Sequence, residues 1–258
     1  MMKKRLIALS VGGMMASAPV MADTVAGVYA GVQGWRTGTN GGFADDSTFA
    51  NDASMTNLNF DDKTNTALYI AFEHPVPFVP NLKVNHTSMD TEGTTNLQTT
   101  FTFDGELYTV DTDVFSQAEL TATDIILYYE LFDNDLVSFD LGINGKYVDG
   151  RFLIEDEASG RRGEESFSGV VPMVYSRVQV GLPFSGLGAY AEGSYLSFDD
   201  HTLSDYQIAL TYSFIESLAI DMTVQLGYRN VTVDIEDLDG VYADLEYDGA
   251  FAGVEVHF

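Results

Sequence analysis

The sequence predicts an all-β fold: a closed, up-and-down antiparallel transmembrane β-barrel of about ten strands. Three observations predict it. The first residues read as an export signal. Apolar and polar residues alternate with period two along most of the remaining chain. The connections between the alternating segments vary in length with their parity.

The export reading rests on Met1 to Ala22, "MMKKRLIALSVGGMMASAPVMA". Lys3, Lys4 and Arg5 form a basic start, an apolar stretch follows, and Val20-Met21-Ala22 is a small-x-small cleavage site. The expected organisation is a signal peptide over residues 1–22 and one barrel domain over 23–258. An exported chain with no cysteine has no disulfide framework, so packing and backbone pairing must stabilise it. Asp and Glu number 39 against 12 Lys and Arg, a formal charge of −27, which excludes nucleic acid as a partner. The 14 Tyr and 17 Phe argue against the disorder that such a charge otherwise suggests.

The alternation predicts wall strands at Thr24–Arg36, Thr64–His74, Leu82–Thr91, Phe115–Phe132, Val137–Tyr147, Ser168–Leu182, Gly188–Phe198, Ser204–Phe214, Leu218–Arg229 and Tyr242–Phe258. Leu218–Arg229 is the clearest case: Leu218, Ile220, Met222, Val224, Leu226 and Tyr228 share one face. Two short runs, Thr99–Phe103 and Glu106–Val110, flank Asp104-Gly105, a tight-turn dipeptide. They read as a hairpin projecting from a loop. Eight or twelve wall strands are the alternatives if these or another short run are misassigned. Residues 37–63, 92–114 and 150–167 form long connections; 75–81, 133–135, 183–187 and 215–217 form short ones; 199–203 breaks the contrast, being no longer than its neighbour, and 236–241 is of medium length. Long loops on one rim and tight turns on the other is the outer-membrane pattern.

Alternation alone does not say which face looks outward. The polar face carries Glu73, Lys83, Glu130, Asp140, Lys146, Arg177, Glu192, Asp221, Arg229 and Glu255, which cannot face lipid. The export signal and loop parity therefore place the apolar face outside. Such a sheet has to close, because an open edge in lipid leaves backbone groups unpaired at several kcal/mol each. The last strand is expected to pair with the first. Phe72, Phe132, Phe139, Phe184, Phe198, Tyr195, Tyr206 and Phe214 fall near strand ends, where aromatic girdles sit. Inward residues are odd-numbered in both final strands, which predicts a three-residue Leu238-Asp239-Gly240 connection with Gly240 as a left-handed bulge.

Inside, Glu73 with Lys83 and Arg177 with Glu192 lie symmetrically about tight turns, and Lys146 lies diagonal to Asp124. Together with Asp221 and Arg229 these are the candidate lumen ion pairs, and a ten-stranded barrel is narrow enough for side chains to fill most of it. Catalytic candidates are weaker. His201 beside Asp199 and Asp200 could activate a water at the rim in the manner of omptin proteases, and Ser204 follows nearby, as a lipid-modifying hydrolase would want. No second acidic pair matches, and a solvated polar loop is the better reading of the cluster. The acidic loops, with Asp45, Asp46, Asp52, Asp61, Asp62, Glu155, Asp156, Glu157, Glu164 and Glu165, could bind divalent cations, though no EF-hand spacing occurs. No cofactor is expected.

"TATDIILYYE", "VPMVYSRVQVGLPFSGL", "LGYRNVTV" and "DLEYDGAFAGVEVHF" resemble a family of poorly characterised Gram-negative outer-membrane β-barrel proteins. The resemblance implies location in the cell outer membrane, with its lipid and lipopolysaccharide as surroundings. It supplies no catalytic residues. The closing "GAFAGVEVHF", with Val254, Val256 and Phe258 on one face, is similar to the C-terminal β-signal that the barrel insertion machinery reads in this class. The expected protein is non-enzymatic with a narrow or plugged lumen, serving as a small-solute channel or in a structural or surface role. A rim hydrolase and an adhesion protein acting through its acidic loops are the alternatives.

Overall fold

A computed structural model describes residues 26–44, 57–134, 136–198, 201–217, 220–238 and 241–258. The expected export segment, residues 1–22, lies outside them. Among the described residues twelve strands form: β1 Gly27–Ala44, β2 Lys63–Glu73, β3 Asn81–Asn96, β4 Phe101–Phe103, β5 Glu106–Tyr108, β6 Asp113–Asp133, β7 Val137–Asp156, β8 Arg161–Gly181, β9 Leu187–Phe198, β10 His201–Glu216, β11 Asp221–Leu238 and β12 Val241–His257. Ten close into one antiparallel barrel in the order β1-β12-β11-β10-β9-β8-β7-β6-β3-β2, and β4 and β5 form a separate two-stranded sheet. β12 pairs with β1 from Tyr29↔His257 to Ala44↔Tyr242. Val28 and Phe258 then exchange backbone hydrogen bonds of 3.3 and 2.9 Å, which completes the seam.

The apolar stripes face outward. Leu226 is 64% exposed and Ile143 64%, while the neighbouring Arg229 and Lys146 are 4% and 1% exposed. Outward Leu68, Ile70, Ile125, Leu127, Val174, Val178, Ile208 and Leu210 continue the belt around the wall. Phe72, Phe132, Phe184 and Phe214 are exposed near the tight-turn rim, and Tyr195 and Tyr206 near the other end of the belt; Phe139 is half-buried. The side chain of Phe198 lies outside what the structure describes. Two tight turns are built alike: Val76-Pro77-Phe78-Val79 and Leu182-Pro183-Phe184-Ser185 each close with an i to i+3 backbone bond, with Phe78 and Phe184 at φ of 65° and 63°. That is a type II turn, with proline setting the first corner.

Three expectations are corrected. The connection at 150–167 is not a loop: β7 and β8 pair without a register shift up to Asp156↔Arg161. β1, β3, β10 and β11 also run past their expected ends. The reason is a swap of environment. Low on β7, inward Asn144 and Lys146 are polar and outward Ile143 and Tyr147 apolar; higher up, inward Phe152 and Ile154 are buried and outward Asp149 is exposed. Alternation persists but inverts its phase where the wall leaves the apolar belt.

The hairpin does not project. Asp104 (φ 52°) and Gly105 (φ 70°) make the expected tight turn, but β4 and β5 fold into the barrel mouth. Phe101, Phe103 and Tyr108 are buried with Phe43, Leu58, Phe152 and Ile154, and Phe43 stacks on Phe152 at 4.2 Å between centroids. The Tyr108 hydroxyl donates to the Ile154 carbonyl at 3.1 Å. A Cβ at Gly163 would lie 2.8 Å from the Phe103 carbonyl oxygen, so glycine lets the hairpin approach β8. An apolar hairpin face has no lipid at this height and is buried in the mouth instead.

The predicted three-residue connection also fails. Leu238 pairs with Val241, and the odd–even mismatch is absorbed by a register shift between Ile235 and Leu238. Asp239 and Gly240 lie outside the described residues.

Closure between β1 and β12 is directly testable in this cysteine-free chain. Val32 and Val254 are Cα partners, and antiparallel partners lie about 4.5–5.5 Å apart, within disulfide reach. The double variant Val32→Cys/Val254→Cys is expected to oxidise in the folded protein, and Val32→Cys/Leu226→Cys, one strand farther round the wall, is not; gel mobility before and after reduction reads the outcome.

Candidate functional site: an ion-pair plug across the lumen

Inward polar residues of the wall strands meet in the middle of the barrel. Asp124 on β6 and Lys146 on β7 are direct Cα partners, not diagonal ones, and their charged groups are 2.7 Å apart. The Lys146 ammonium also donates to Asp205 on β10 at 2.9 Å. Arg229 on β11 donates to both oxygens of Asp205, through Nε at 2.9 Å and Nη2 at 2.8 Å. Its Nη1 reaches Thr87 on β3 at 3.2 Å, and its guanidinium lies over the Trp35 ring on β1. The chain Asp124–Lys146–Asp205–Arg229 thus crosses the lumen.

A second cluster lies beside it. Lys83 on β3 donates to both oxygens of Glu192 on β9, at 2.8 and 2.9 Å, and not to Glu73. In β2–β3 the partner of Lys83 is Ala71, so its long stem is free to reach over the lumen instead. Arg177 and Glu192 are Cα partners, with a charge separation of 3.6 Å. Gln207 and Tyr175 also donate to Glu192, at 2.6 and 3.3 Å. Glu73 instead accepts from the Tyr128 hydroxyl at 2.7 Å, closer to the tight-turn rim. Asp221 stands apart at that rim, 3.5 Å from His257 and accepting from the Ser217 amide at 2.9 Å.

Amide and phenol groups join the clusters. Asn144 and Asn85 donate to Asp124 at 2.6 and 3.0 Å. Gln33 donates to Gln225, Gln225 to the Tyr69 hydroxyl, and Tyr69 to Glu255 at 2.6 Å. The space left among these side chains is about 30 Å³, room for a few waters at most, since one needs about 10–15 Å³. Nothing here can pass a hydrated ion without breaking charge pairs. A plug of this kind stabilises little in itself, since burying charges costs roughly what pairing returns. Removing one partner is the expensive event, because it strands the other.

Of the lumen residues expected from the sequence, Lys83, Asp124, Lys146, Arg177, Glu192 and Arg229 belong to the two clusters, while Glu73 and Asp221 do not. Asp205, the residue that joins Lys146 to Arg229, escaped sequence reasoning. The signal was present, since Asp205 lies on the same face as Gln207 in β10. What no local pattern offers is the partner, because Lys83–Glu192 and Arg229–Thr87 span strands that are not neighbours. Of the rim candidates, Asp199, Asp200 and the His201 side chain lie outside the described residues, and Ser204 lies on the outward face, with Tyr195 and Thr232 as its Cα partners. Among the described residues no group of three or more His, Asp or Glu side chains is arranged to hold a metal ion.

No protein-family model matches this sequence, and no curated protein matches it. Similar solved structures include the transport unit of the autotransporter AIDA-I from Escherichia coli, 7% identical over 89% of this chain and 88% of that one, with a TM-score of 0.44. They also include the P. putida toluene transporter TodX, 6% identical over 90% and 89%, at 0.32, and a TodX deletion mutant described as a monoaromatic hydrocarbon channel, 8% identical over 91% and 90%, at 0.31. Likeness this distant adds nothing to what the wall topology already shows.

Lys146→Met leaves Asp124 and Asp205 short of a cation and is expected to lower stability by about 3–5 kcal/mol. Denaturant unfolding in lipid vesicles measures it. Arg36→Met, which breaks an exposed pair with Asp62 at 3.4 Å, is expected to cost less than about 1 kcal/mol.

Proposed function

We propose that this chain is a non-enzymatic, integral outer-membrane β-barrel whose axis is closed, so that it acts at the membrane face or through its outer rim and not as an open aqueous pore. The observation that carries the reading is the double obstruction of the lumen. The charge network leaves room for only a few waters in the middle, and the β4–β5 hairpin fills the mouth with buried aromatic side chains. The exposed apolar belt supports the membrane placement, because only a closed barrel satisfies its backbone while presenting such a surface to lipid.

In this reading outer-membrane lipid surrounds the belt and lipopolysaccharide meets its upper edge. Residues 1–22 direct export, and Val254, Val256 and Phe258 address the insertion machinery. The outer extensions of β7 and β8 carry Asp156, Glu164, Arg151 and Arg161 in mutual ion pairs. They suit a protein or lipopolysaccharide contact better than a cation site.

Planar-bilayer recording tests the closed axis. Wild type is expected to give no porin-sized steps, and neither is the triple variant Lys146→Ala/Asp205→Ala/Arg229→Ala, because the β4–β5 hairpin still fills the mouth; flickering conductance is expected only when residues 99–110 are deleted as well. Large, long-lived steps from wild type would overturn the proposal. For assembly, Phe258→Ala is expected to reduce the heat-modifiable, membrane-inserted fraction severalfold in cells.

A further inference from the structure

The wall parts between β8 and β9. β8 and β9 pair from Gly181↔Gly188 to Val174↔Tyr195, and the ladder ends there. Beyond it β8 continues with β7 to Arg161, and β9 continues with β10 to Phe198. Pro172 explains the break. At the foot of β8 the Gly181 amide donates to Leu136 on the β7 side, and the Leu182 amide donates to Leu187 on the β9 side. β8 holds one register with β7 throughout, so its even-numbered amides point toward β9. The next donor after Val174 is position 172, where proline has no N–H to give.

A cavity of about 250 Å³ occupies the parting. Met89, Leu120, Val231 and Val233 from inside the barrel line it, as do Val170 and Pro172, which point outward. A cavity lined from both faces of a wall passes through that wall. Its floor is the stem of Lys146, whose ammonium is taken by Asp124 and Asp205. The opening lies at the upper edge of the apolar belt: Val174 and Val178 below it are exposed, and Ser168 and Ser166 above it are polar. Higher still, the hairpin covers the edge of β8, where the Glu164 amide donates to Asp104 at 3.1 Å. The way upward is capped, and the way sideways is open.

We propose that this cavity is a binding site for a small, uncharged, apolar molecule that enters laterally from the outer leaflet of the bilayer. The proposal rests on the membrane placement above, since lipid and not water must bathe Val170 and Pro172. The lining fixes the chemistry: apart from Thr202, Asp234 and the Lys146 stem it is apolar, and the Lys146 ammonium is already held by Asp124 and Asp205. The volume fixes the size. Dry apolar cavities of about 150 Å³ take up benzene, and drug-sized pockets begin near ~300 Å³, so one or two fused rings or a short aliphatic chain fits. A whole lipid tail does not.

The absence of cysteine allows a direct test. Val171→Cys places a thiol in the cavity, and Leu226→Cys places one on the open lipid face. Both proteins are reconstituted in vesicles and labelled with N-(1-pyrenyl)maleimide, which partitions into bilayers, or with a charged, water-soluble methanethiosulfonate. The expected result is about tenfold faster labelling of both variants by the pyrenyl reagent, since a charged reagent is excluded from apolar surroundings. Naphthalene is expected to slow labelling of Val171→Cys severalfold and to leave Leu226→Cys unchanged. Pro172→Val added to Val171→Cys supplies the missing donor and is expected to slow its labelling. If Leu226→Cys prefers the charged reagent, the membrane placement fails. If Leu226→Cys behaves as expected while Val171→Cys stays unlabelled by the pyrenyl reagent, the lateral opening is refuted. If Val171→Cys labels rapidly but naphthalene gives no protection, lipid or water fills the cavity and the ligand proposal falls.

Discussion

Backbone pairing is the constraint from which the other features follow. In hydrocarbon no water is available to an N–H or C=O that the wall leaves unpaired, so the sheet must close on itself. Here it closes through β1 and β12, down to the reciprocal bonds between Val28 and Phe258. Ten strands set a lumen too narrow for open water and too wide to be left empty. The interior is therefore filled, by charge pairs at mid-height and by aromatic side chains of the β4–β5 hairpin above them. Above Val174 and Tyr195, where the β8–β9 ladder stops early, an apolar cavity crosses the wall.

The two fillings follow their surroundings. At the height of the lipid belt the outer face is apolar, and the inner face holds Lys83, Lys146, Glu192, Asp205 and Arg229, each satisfied by partners on other strands. Long cationic stems suit this, because they reach across the lumen while their heads find carboxylates. Above the belt the outer face meets water, and the inner face becomes an ordinary apolar core built on Phe43, Phe103 and Phe152. The protein is thus an inverted barrel at one end and a conventional one at the other.

That change of surroundings decides what was legible in the sequence. The wall strands, their antiparallel order and their inside–outside assignment follow from parity over Leu218–Arg229 and its counterparts, because the lipid belt enforces a single phase there. Strand length does not follow, because Phe152 and Ile154 continue the alternation of Asn144 and Lys146 with the opposite polarity. A search for one phase reads that inversion as a loop. The hairpin at Asp104-Gly105 was visible from its turn residues, but its burial was not, since nothing local says that an apolar face turns into the mouth. In the same way, neighbouring strands reveal Arg177 with Glu192 and Asp124 with Lys146, whereas Lys83 with Glu192 depends on curvature across the lumen. Pro172 is the reverse case. It was legible as a residue and silent as a structural break until the direction of its missing donor was fixed by Gly181 and Leu182.

The inversion of faces is tested most directly by the single tryptophan. Trp35 is 1% exposed and points inward, beneath the Arg229 guanidinium. In vesicles containing lipids brominated along their acyl chains, its fluorescence should be quenched far less than that of Trp35→Phe/Leu226→Trp, whose indole lies against lipid. Strong bromolipid quenching at position 35 with none at position 226 would mean that the oily stripes are turned into a dry core, and the barrel would not be a membrane protein.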